Sequence, residues 1–391
     1  KLVDRLNLVT RENLSGMMVV RAFGNQKREE ERFEKANRDL TQTNLFINRV
    51  IVFMMPFMTF VMNAVTLLIV WFGSKQIEAS SMQVGDMMAY MQYAMQIIMA
   101  FLMIAVMFIM VPRASVAGDR IAEVLETKPS IRDPESPVSL TAPVRGEVAF
   151  HDVSFRYPNA EENVLEHLSF TAKPGETTAF IGSTGAGKST LVQLILRFYD
   201  VTDGSITLDG VDIRELTQKE LRAQIGFVPQ KGLLFSGDIA SNIRYGNDLA
   251  TDEEVRRAAQ TAQALEFIDA FPKGMETGIA QGGTNVSGGQ KQRLSIARAL
   301  AKKAPVYIFD DSFSALDFKT DAALRRALAK DTAGAAVLIV AQRVSTIMHA
   351  QQIVVLDQGK IMGVGTHKEL LKTCPTYREI AESQLSEEEL Q

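Results

Sequence analysis

The residues with the clearest chemistry lie in a glycine-rich segment between an apolar run, 178–181, and a helical pattern, 191–198. This strand–loop–helix order is the context of a phosphate-binding P-loop. Glycines let backbone N–H groups point towards phosphates, and the N-terminus of the following helix adds a favourable dipole. The sequence therefore predicts a nucleotide site, with Lys188 on the β- and γ-phosphates and the Ser189 hydroxyl on Mg²⁺. Its members are Gly182, Ser183, Thr184, Gly185, Ala186, Gly187, Lys188, Ser189 and Thr190.

Two adjacent acids, Asp310 and Asp311, follow a second apolar run at 306–309. A carboxylate at the end of a parallel strand beside a P-loop can hold the water shell of Mg²⁺. The alternative is that the two acids only cap the turn after the strand, which is common for an isolated pair. Because a P-loop lies upstream, we predict that Asp310 takes part in metal binding.

A third segment consists of Ser287, Gly288, Gly289 and Gln290, just ahead of a predicted helix and twenty residues before the acidic pair. Ser-Gly-Gly is a weak loop signal by itself. Together with the P-loop and the acidic pair, however, it resembles the signature of the ATPases of ABC transporters. The whole chain is similar to an exporter-type half-transporter of that family, in which an α-helical transmembrane segment precedes an α/β P-loop ATPase domain.

The resemblance implies roles for further residues. Tyr157, in Phe-Arg-Tyr-Pro, is similar to the aromatic residue that stacks on adenine, and Gln230 resembles the Q-loop glutamine, which contacts Mg²⁺ and couples to the membrane part. Asp317, in Ser-Ala-Leu-Asp, resembles the D-loop. In this family each ATP site forms between two ATPase domains, and the signature comes from the opposite one. The resemblance therefore implies ATP and Mg²⁺ as cofactors and a second half-transporter as partner.

Three positions depart from the family's pattern. Asp311 stands where a glutamate normally polarises the attacking water, and its side chain is one methylene shorter. This difference matters because the positioning of an attacking water tolerates little displacement of the carboxylate. Gln342 replaces the switch histidine, and its amide can hydrogen-bond a γ-phosphate but carries no charge. Gln281 stands where many exporters have a glutamate, and the sequence defines no consequence of that change.

Two of these departures, Asp311 and Gln342, fall in one ATP site, which then resembles the degenerate site of heterodimeric exporters. With Lys188 they are the catalytic candidates. The signature is intact and would complete the hydrolytic site of a different partner chain, one that carries Glu and His at these positions. Two alternatives remain open. One is a homodimeric exporter of drugs, lipids or peptides with Asp311 as catalytic carboxylate, and the other is a regulatory nucleotide-binding subunit.

Two uncharged runs, Val50–Ser74 and Met87–Pro112, precede the nucleotide-binding part. With 25 and 26 residues, each exceeds the roughly 20 residues that a helix needs to cross a bilayer. A pair of buried helices in a soluble core is the alternative, but such helices are seldom so long without a charge. Lys and Arg are concentrated in the flanks, so the positive-inside rule places the flanks and the ATPase domain in the cytoplasm. The sequence thus predicts a multi-pass protein of the cytoplasmic membrane.

Methionine recurs at every fourth residue of the second run and forms one stripe on a helix. Its flexible side chain suits surfaces that accept varied apolar shapes, so one interpretation is a lining for hydrophobic small-molecule cargo. The other interpretation is packing against lipid or against a neighbouring helix. The stripe consists of Met87, Met91, Met95, Met99, Met103 and Met107.

The predicted layout is a membrane domain in residues 1–125, an extended proline-rich linker in 126–145 and an ABC ATPase domain in 146–391. By resemblance, the two runs are the last two of six membrane helices, and residues 12–23 are an intracellular loop with a short coupling helix. Because the chain begins with Lys1 inside a charged helical pattern, we expect an N-terminal part to precede it.

Composition excludes several classes of function. A net charge of −4 gives no electrostatic case for a nucleic-acid partner. The single cysteine, Cys374, excludes an intramolecular disulfide framework. The acidic residues 387–389 near the C-terminus are predicted to form a solvated end.

Overall fold

The computed structural model describes residues 1–386, and the acidic end at 387–389 lies outside them. The chain divides into two compact units, Lys1–Lys128 and a second unit that begins at Pro129. The first unit is all helical, and the second combines two main sheets with short helices. Each unit is considered by itself below.

The first unit consists of three helices, α1 at Leu2–Ala22, α2 at Gln26–Glu78 and α3 at Val84–Glu126. The predicted uncharged runs lie inside α2 and α3, which both contain a stretch long and apolar enough to cross a membrane. In the described residues, none of the side chains in these stretches is buried. The helices approach each other closely at Gly73, where a Cβ would lie 2.9 Å from Cγ of Met87.

The methionine stripe therefore has two environments. Met87, at its start, packs on Gly73 of the neighbouring helix, whereas Met95, Met99 and Met103 are more than half exposed within this chain. Packing between helices explains the first of these residues. The exposed ones remain compatible with both the cargo and the lipid interpretation.

The segment 12–23 was expected to be an intracellular loop with a short coupling helix. Residues 12–22 are the second half of α1, a continuous helix of 21 residues, so the helix is longer than expected. Apart from Gly16, this half consists of residues that are compatible with a helix, and Gly16 has open space where a Cβ would project. The break comes only at Gly24, which adopts a positive φ of 66° and allows the turn into α2.

The second unit contains the elements β1–β12 and α4–α13 in chain order. Its strands are β1 Val148–Phe155, β2 Leu165–Ala172, β3 Thr177–Gly182, β4 Asp203–Leu208, β5 Val211–Asp212, β6 Ile225–Val228, β7 Gly237–Asp238, β8 Gly278–Ile279, β9 Val306–Asp310, β10 Ala336–Val340, β11 Gln352–Asp357 and β12 Lys360–Gly365. Its α-helices are α4 Lys188–Ile195, α5 Gln218–Ala223, α6 Ile239–Arg244, α7 Asp252–Thr261, α8 Leu265–Asp269, α9 Gly288–Ala301, α10 Phe318–Asp331, α11 Val344–Ile347, α12 His367–Thr373 and α13 Pro375–Glu382.

The six-stranded sheet has the order β12-β11-β3-β10-β9-β6, with all neighbours parallel except the β11–β12 pair at one edge. Strands β9 and β10 are buried along their whole length, which explains their nearly continuous apolar sequences. A four-stranded antiparallel sheet, β2-β1-β4-β5, packs its own apolar residues into the core on the side of α4. The predicted α/β fold is confirmed.

The parallel register brings the predicted site residues to one edge of this sheet. In β10, Val340 pairs with Asp310 on one side and with Phe180 on the other. The P-loop after β3, the acids after β9 and Gln342 after β10 therefore leave from neighbouring carboxyl ends. Ligands of open α/β sheets bind at that edge.

The proline-rich stretch at 129–147, at the start of the second unit, has no helix or strand in the described structure. Its backbone is nevertheless hydrogen-bonded to the rest of that unit. Val138 donates its N–H to the carbonyl of Glu215 at 2.9 Å. Arg197, which is only 3 % exposed, donates to the carbonyl of Arg132 at 3.0 Å. The stretch is irregular, without helix or strand, and it lies against the sheets and helices that follow it.

Candidate nucleotide-binding site

The P-loop depends on glycine at two positions where the backbone touches its neighbours. A Cβ on Gly182 would lie 1.8 Å from the carbonyl oxygen of Leu356. Gly187, which caps α4 with a φ of 91°, would place a Cβ 2.4 Å from Cδ2 of Leu165. The loop can thus wrap closely around the start of α4 only because both side chains are absent. The observed strand and helix confirm the sequence context from which the loop was predicted.

Lys188 lies across this loop. Its ammonium donates to the carbonyl of Gly182 at 2.9 Å and to that of Ser183 at 2.7 Å. Burial lowers the pKa of Lys188, while Asp311 and Asp310 oppose that shift. A half-buried cation held against the P-loop backbone at the start of a helix is suited to bind phosphate oxygens.

The candidate metal ligands are adjacent. The hydroxyl of Ser189 donates to Oδ1 of Asp310 at 3.1 Å, and Asp310 is 7 % exposed. Burial raises the pKa of Asp310, the Ser189 hydrogen bond opposes that shift, and Asp311 adds to it. The buried carboxylate of Asp310, the hydroxyl of Ser189 and the amide oxygen of Gln230 would form an all-oxygen donor set of the kind that Mg²⁺ prefers. These residues therefore fit Mg²⁺ held jointly with phosphates.

Three predicted residues meet at one carboxylate oxygen. Oδ2 of Asp311 accepts from Nε2 of Gln342 at 2.6 Å and from Nε2 of Gln230 at 3.3 Å. Asp311 itself is 8 % exposed, and its backbone N–H bonds the carbonyl of Val340 at 3.0 Å. Because Gln230 donates with its nitrogen, its oxygen is the atom that can serve a metal. The catalytic candidates Asp311 and Gln342 are thus in direct contact.

Tyr157 takes a different position from the other predicted nucleotide contacts. Its hydroxyl lies 2.9 Å from Oγ1 of Thr190, and its ring meets the edges of Phe155 and Tyr199 at centroid distances of 4.9 and 5.2 Å. Tyr157 is not among the described residues that line the cavity over the P-loop. The structure places it beside α4, where the Thr190 hydroxyl is bonded to it.

The cavity over the P-loop has a volume of about 670 Å³. Besides the predicted residues it is lined by Asp357, at the end of β11, whose Oδ1 accepts from the Ser183 hydroxyl at 2.9 Å. The sequence offered a signal for Asp357, because it too follows an apolar strand. Val164 and Val340 also line it, and a further part of the wall comes from the C-terminal segment, residues 375–384, for which no motif gave a signal. Its lining residues are Thr376, Glu379, Ile380, Ser383 and Gln384.

The predicted signature is built as a helix start. Ser287 caps α9: its hydroxyl accepts from the N–H of Gln290 at 3.3 Å, and its own N–H donates to the Gln290 side chain at 2.9 Å. Ser287 and Gly288 are exposed, and Gly289 is partly exposed. Of the described residues that line the P-loop cavity, none comes from 287–290. This chain's signature and P-loop therefore form separate sites.

Asp317, predicted as the D-loop residue, has a similar local role. It caps α10, where its Oδ1 accepts from the N–H of Thr320 at 2.9 Å. That hydrogen bond lowers the pKa of Asp317. Like the signature, Asp317 lies apart from the described residues that line the P-loop cavity. Gln281 is exposed, at the start of a short 3₁₀ helix.

Comparison with known proteins gives two family matches. The ABC transporter family matches residues 165–314, and the ABC transporter transmembrane region matches residues 1–101. The second match supports the interpretation of α2 and α3 as membrane helices. Together the matches cover both units of the structure.

Individual relatives extend over nearly the whole chain. An uncharacterized ABC transporter ATP-binding protein of Mycobacterium tuberculosis is 45% identical over 386 residues, which is 98% of this chain and 66% of that protein. An ATP-dependent lipid A-core flippase of Desulfotalea psychrophila is 37% identical over 367 residues, 94% of this chain and 64% of that protein. The solved structure of a bacterial Atm1-family ABC exporter with ATP bound matches with a TM-score of 0.87 and 30% identity. That match covers 99% of this chain and 69% of the solved one.

Proposed function

Because the chain belongs to the ABC exporters, in which a transmembrane region is fused to an ABC ATPase domain, we propose that it is an ATP-hydrolysing subunit of such a transporter. The observation that carries this proposal is the convergence of Lys188, Ser189, Asp310 and Asp311 on one cavity at the carboxyl edge of the sheet. The cargo would be a hydrophobic or multidrug-type compound. Likeness to a lipid A-core flippase supports a lipid-like, amphiphilic member of that class.

Each residue of the cavity has a defined task in this function. Backbone N–H groups of the P-loop and the ammonium of Lys188 would bind the phosphates, exchanging the present bonds to the Gly182 and Ser183 carbonyls for bonds to ATP. Ser189, Gln230 and Asp310 would hold Mg²⁺, which supplies charge neutralisation on the phosphates when it is bound. Tyr157 would have to turn from its contact with Thr190 to stack on adenine.

Hydrolysis at this site would be slow, which makes it a degenerate site. A glutamate is replaced by the shorter Asp311, whose Oδ2 already accepts two amide hydrogen bonds. Its backbone N–H is bonded to Val340, so the main chain is not free to advance the carboxylate. Gln342 can donate to a γ-phosphate, but it adds no positive charge to the transition state. Positioning of the attacking water therefore suffers in two ways.

The exposed signature supports assembly with a second ATPase domain, and the substitutions at Asp311 and Gln342 favour a different chain as that partner. Ser287 and the N-terminus of α9 are free to meet the P-loop of a second ATPase domain, where the N–H groups of the helix start would face the γ-phosphate. A partner chain with Glu and His at the positions of Asp311 and Gln342 would then hydrolyse ATP efficiently. ATP in both composite sites would hold the two ATPase domains together. ATP binding would shift the equilibrium of the membrane helices between inward- and outward-facing states, and the size of that shift is set by the difference in ATP affinity between the two states.

Transport in proteoliposomes tests this proposal. The chain is purified from its native membrane with whatever half-transporter accompanies it, and movement of a fluorescent lipid against its gradient is measured. We expect movement that requires ATP hydrolysis and a partner different from this chain. Transport by a stable homodimer would contradict the heterodimer. A nucleotide-dependent leak without movement against the gradient would instead support a regulatory subunit.

A further inference from the structure

The C-terminal segment, residues 375–384, is anchored firmly to the second unit. Tyr377 is fully buried, and its hydroxyl lies 2.7 Å from Nδ1 of His367. Ala381, one turn later on α13, is also fully buried, and Ile380 packs against the same core. The position of the residues just after α13 is therefore fixed by the core of the domain.

The side chain of Gln384, which follows α13, forms two hydrogen bonds with the backbone after β10. Its Oε1 accepts from the N–H of Val344 at 2.8 Å, and its Nε2 donates to the carbonyl of Gln342 at 2.9 Å. A backbone N–H can only donate and a carbonyl can only accept, so these partners fix the orientation of the amide. We call residues 341–344 the switch loop. Gln384 thus holds the switch loop at two points.

The residue held at its carbonyl is the one that reaches into the site. The side chain of Gln342 donates to Oδ2 of Asp311 at 2.6 Å, and its carbonyl is bonded to Gln384. On the other side, the N–H of Ala341 continues the sheet by bonding the carbonyl of Phe180 at 3.1 Å. The backbone around Gln342 is therefore tied to the sheet at one end and to the C-terminal segment at the other. A chain of contacts leads from the core under α13 to the catalytic candidates.

We propose that Gln384 is a positioning residue, which holds the switch loop so that the amide of Gln342 faces Asp311 and the γ-phosphate of ATP. This inference rests on the proposed function for its nucleotide, but the contact itself does not. Gln384 and Ser383 also line the P-loop cavity, so the C-terminal segment forms a wall of the site and an anchor for its switch. Without Gln384, Gln342 samples orientations in which it bonds neither Asp311 nor phosphate.

Hydrogen–deuterium exchange of the whole transporter in lipid nanodiscs tests the contact without nucleotide. In Gln384→Ala the amide of Val344 loses its acceptor, and we expect peptides over the switch loop to exchange about three- to tenfold faster. Gln384→Glu keeps the shape and the acceptor but not the donor, so it should protect Val344 while loosening Gln342. Glu382→Ala is the matched control, because Glu382 is exposed at the end of the same helix and is not among the described residues that line the cavity. Parent-like exchange in both Gln384 variants would overturn the proposal.

Steady-state hydrolysis at this chain's own site then tests the positioning role. The partner's P-loop lysine is replaced, so that only this site turns over. We expect Gln384→Ala to lower kcat about tenfold and to leave KM within about twofold, since the P-loop is untouched and only the orientation of Gln342 is lost. Gln384→Glu should recover part of kcat. Equal losses in kcat and affinity, or an equal loss in Glu382→Ala, would show a merely structural role.

The two arms separate this inference from the proposed function. If the parent binds no MgATP, the proposed function fails, whereas the nucleotide-free exchange still decides whether Gln384 holds the switch loop. If the parent binds and hydrolyses MgATP but Gln384→Ala matches it in exchange and kcat, only the inference about Gln384 fails.

Discussion

Two regions of the ATPase domain differ in how their side chains are held. The P-loop corner consists of residues 182–190 with Gln230, Asp310, Asp311 and Gln342, and the signature end consists of residues 287–290. At the P-loop corner, side chains that follow β3, β6, β9 and β10 bond one another across different strands, so that the buried Asp311 accepts from both Gln230 and Gln342, which are exposed to the cavity. At the signature end, Ser287 is exposed, and among the described residues its hydrogen bonds are to its own helix. Compared with the family pattern, the corner carries two substitutions, whereas residues 287–290 of the signature carry none. In the proposed transporter the chain would thus keep the surface that it offers to a partner although its own site differs.

Loss of Lys188 gives the largest expected effect on this comparison. Lys188→Ala removes the ammonium that would bind the phosphates, and two charge-assisted hydrogen bonds to ATP would be lost. We expect about a 100-fold loss in ATP affinity at this chain's site, measured by titration with a fluorescent ATP analogue. Lys173→Ala, at an exposed position on the same domain, serves as control and should bind as the parent does. Unchanged affinity in Lys188→Ala would remove the P-loop corner from the comparison.

The second expected effect contrasts the two regions directly. Ser287→Ala removes the cap and hydroxyl that the signature offers to the partner's ATP, so total ATPase turnover should fall about tenfold or more. Asp311→Asn alters only the slow site and should change total turnover less than about twofold. Steady-state phosphate release from the purified transporter measures both. In a homodimer with Asp311 as catalytic carboxylate, the two substitutions would instead reduce turnover together.

A third expected effect is a gain. Asp311→Glu combined with Gln342→His restores the carboxylate reach and the imidazole that the family uses, and should raise turnover at this chain's site about tenfold. Each single substitution should give less, because Gln342 and Asp311 are in direct contact and act together. The rate is measured with the partner's own site inactivated. If the double variant shows no gain, the corner is slow for another reason, and the degenerate-site proposal loses its basis.

Much of this site follows from the sequence, and the reason is topological. The P-loop, the acids after Phe309 and Gln342 each follow an apolar run, and parallel strands deliver all three to one edge. The chain of contacts through Gln384 could not be foreseen. It depends on where α13 docks, and that docking is decided by Tyr377 and Ala381 in the core and not by a local motif. The sequence pattern predicts helices and strands, whereas the hydrogen-bond partners of Gln384, which belongs to no motif, are known only from the packed structure.

The expected forms of Tyr157 and of segment 12–23 show the same limit. Tyr157 carries the right aromatic type, but the structure bonds it to Thr190 among neighbouring rings and not at the cavity wall. Segment 12–23 was expected as a loop with a short helix, but α1 continues through Gly16 to Ala22, and the break comes only at Gly24, just beyond the segment. In both places a motif identifies a residue, while local packing and helix-breaking residues determine its geometry.

The smallest expected effect concerns pH and separates Asp310 from its neighbours. Burial raises the pKa of Asp310 above its ordinary 3.8, so the folded domain binds this proton more tightly than the unfolded chain does. The associated stability is fully present below pH 3.8 and is lost as pH rises through the raised pKa, which means that the buried charge costs stability at pH 7. Asp310→Asn should therefore raise the unfolding temperature of the nucleotide-free ATPase domain within the transporter by about 2 °C at pH 7. The gain should shrink towards pH 4.

MgATP should reverse this difference in unfolding temperature between Asp310→Asn and the parent, because the ionised Asp310 can then bind Mg²⁺ whereas an uncharged Asn binds it poorly. Scanning calorimetry at pH 4 and pH 7, with and without MgATP, measures all four conditions. Asp357→Asn, at the neighbouring strand end, is the matched control and should show neither the gain nor the reversal. If Asp310→Asn is stabilised as much by MgATP as the parent is, Asp310 does not hold the metal. The oxygen ligands of this corner would then have to come from Ser189 and Gln230.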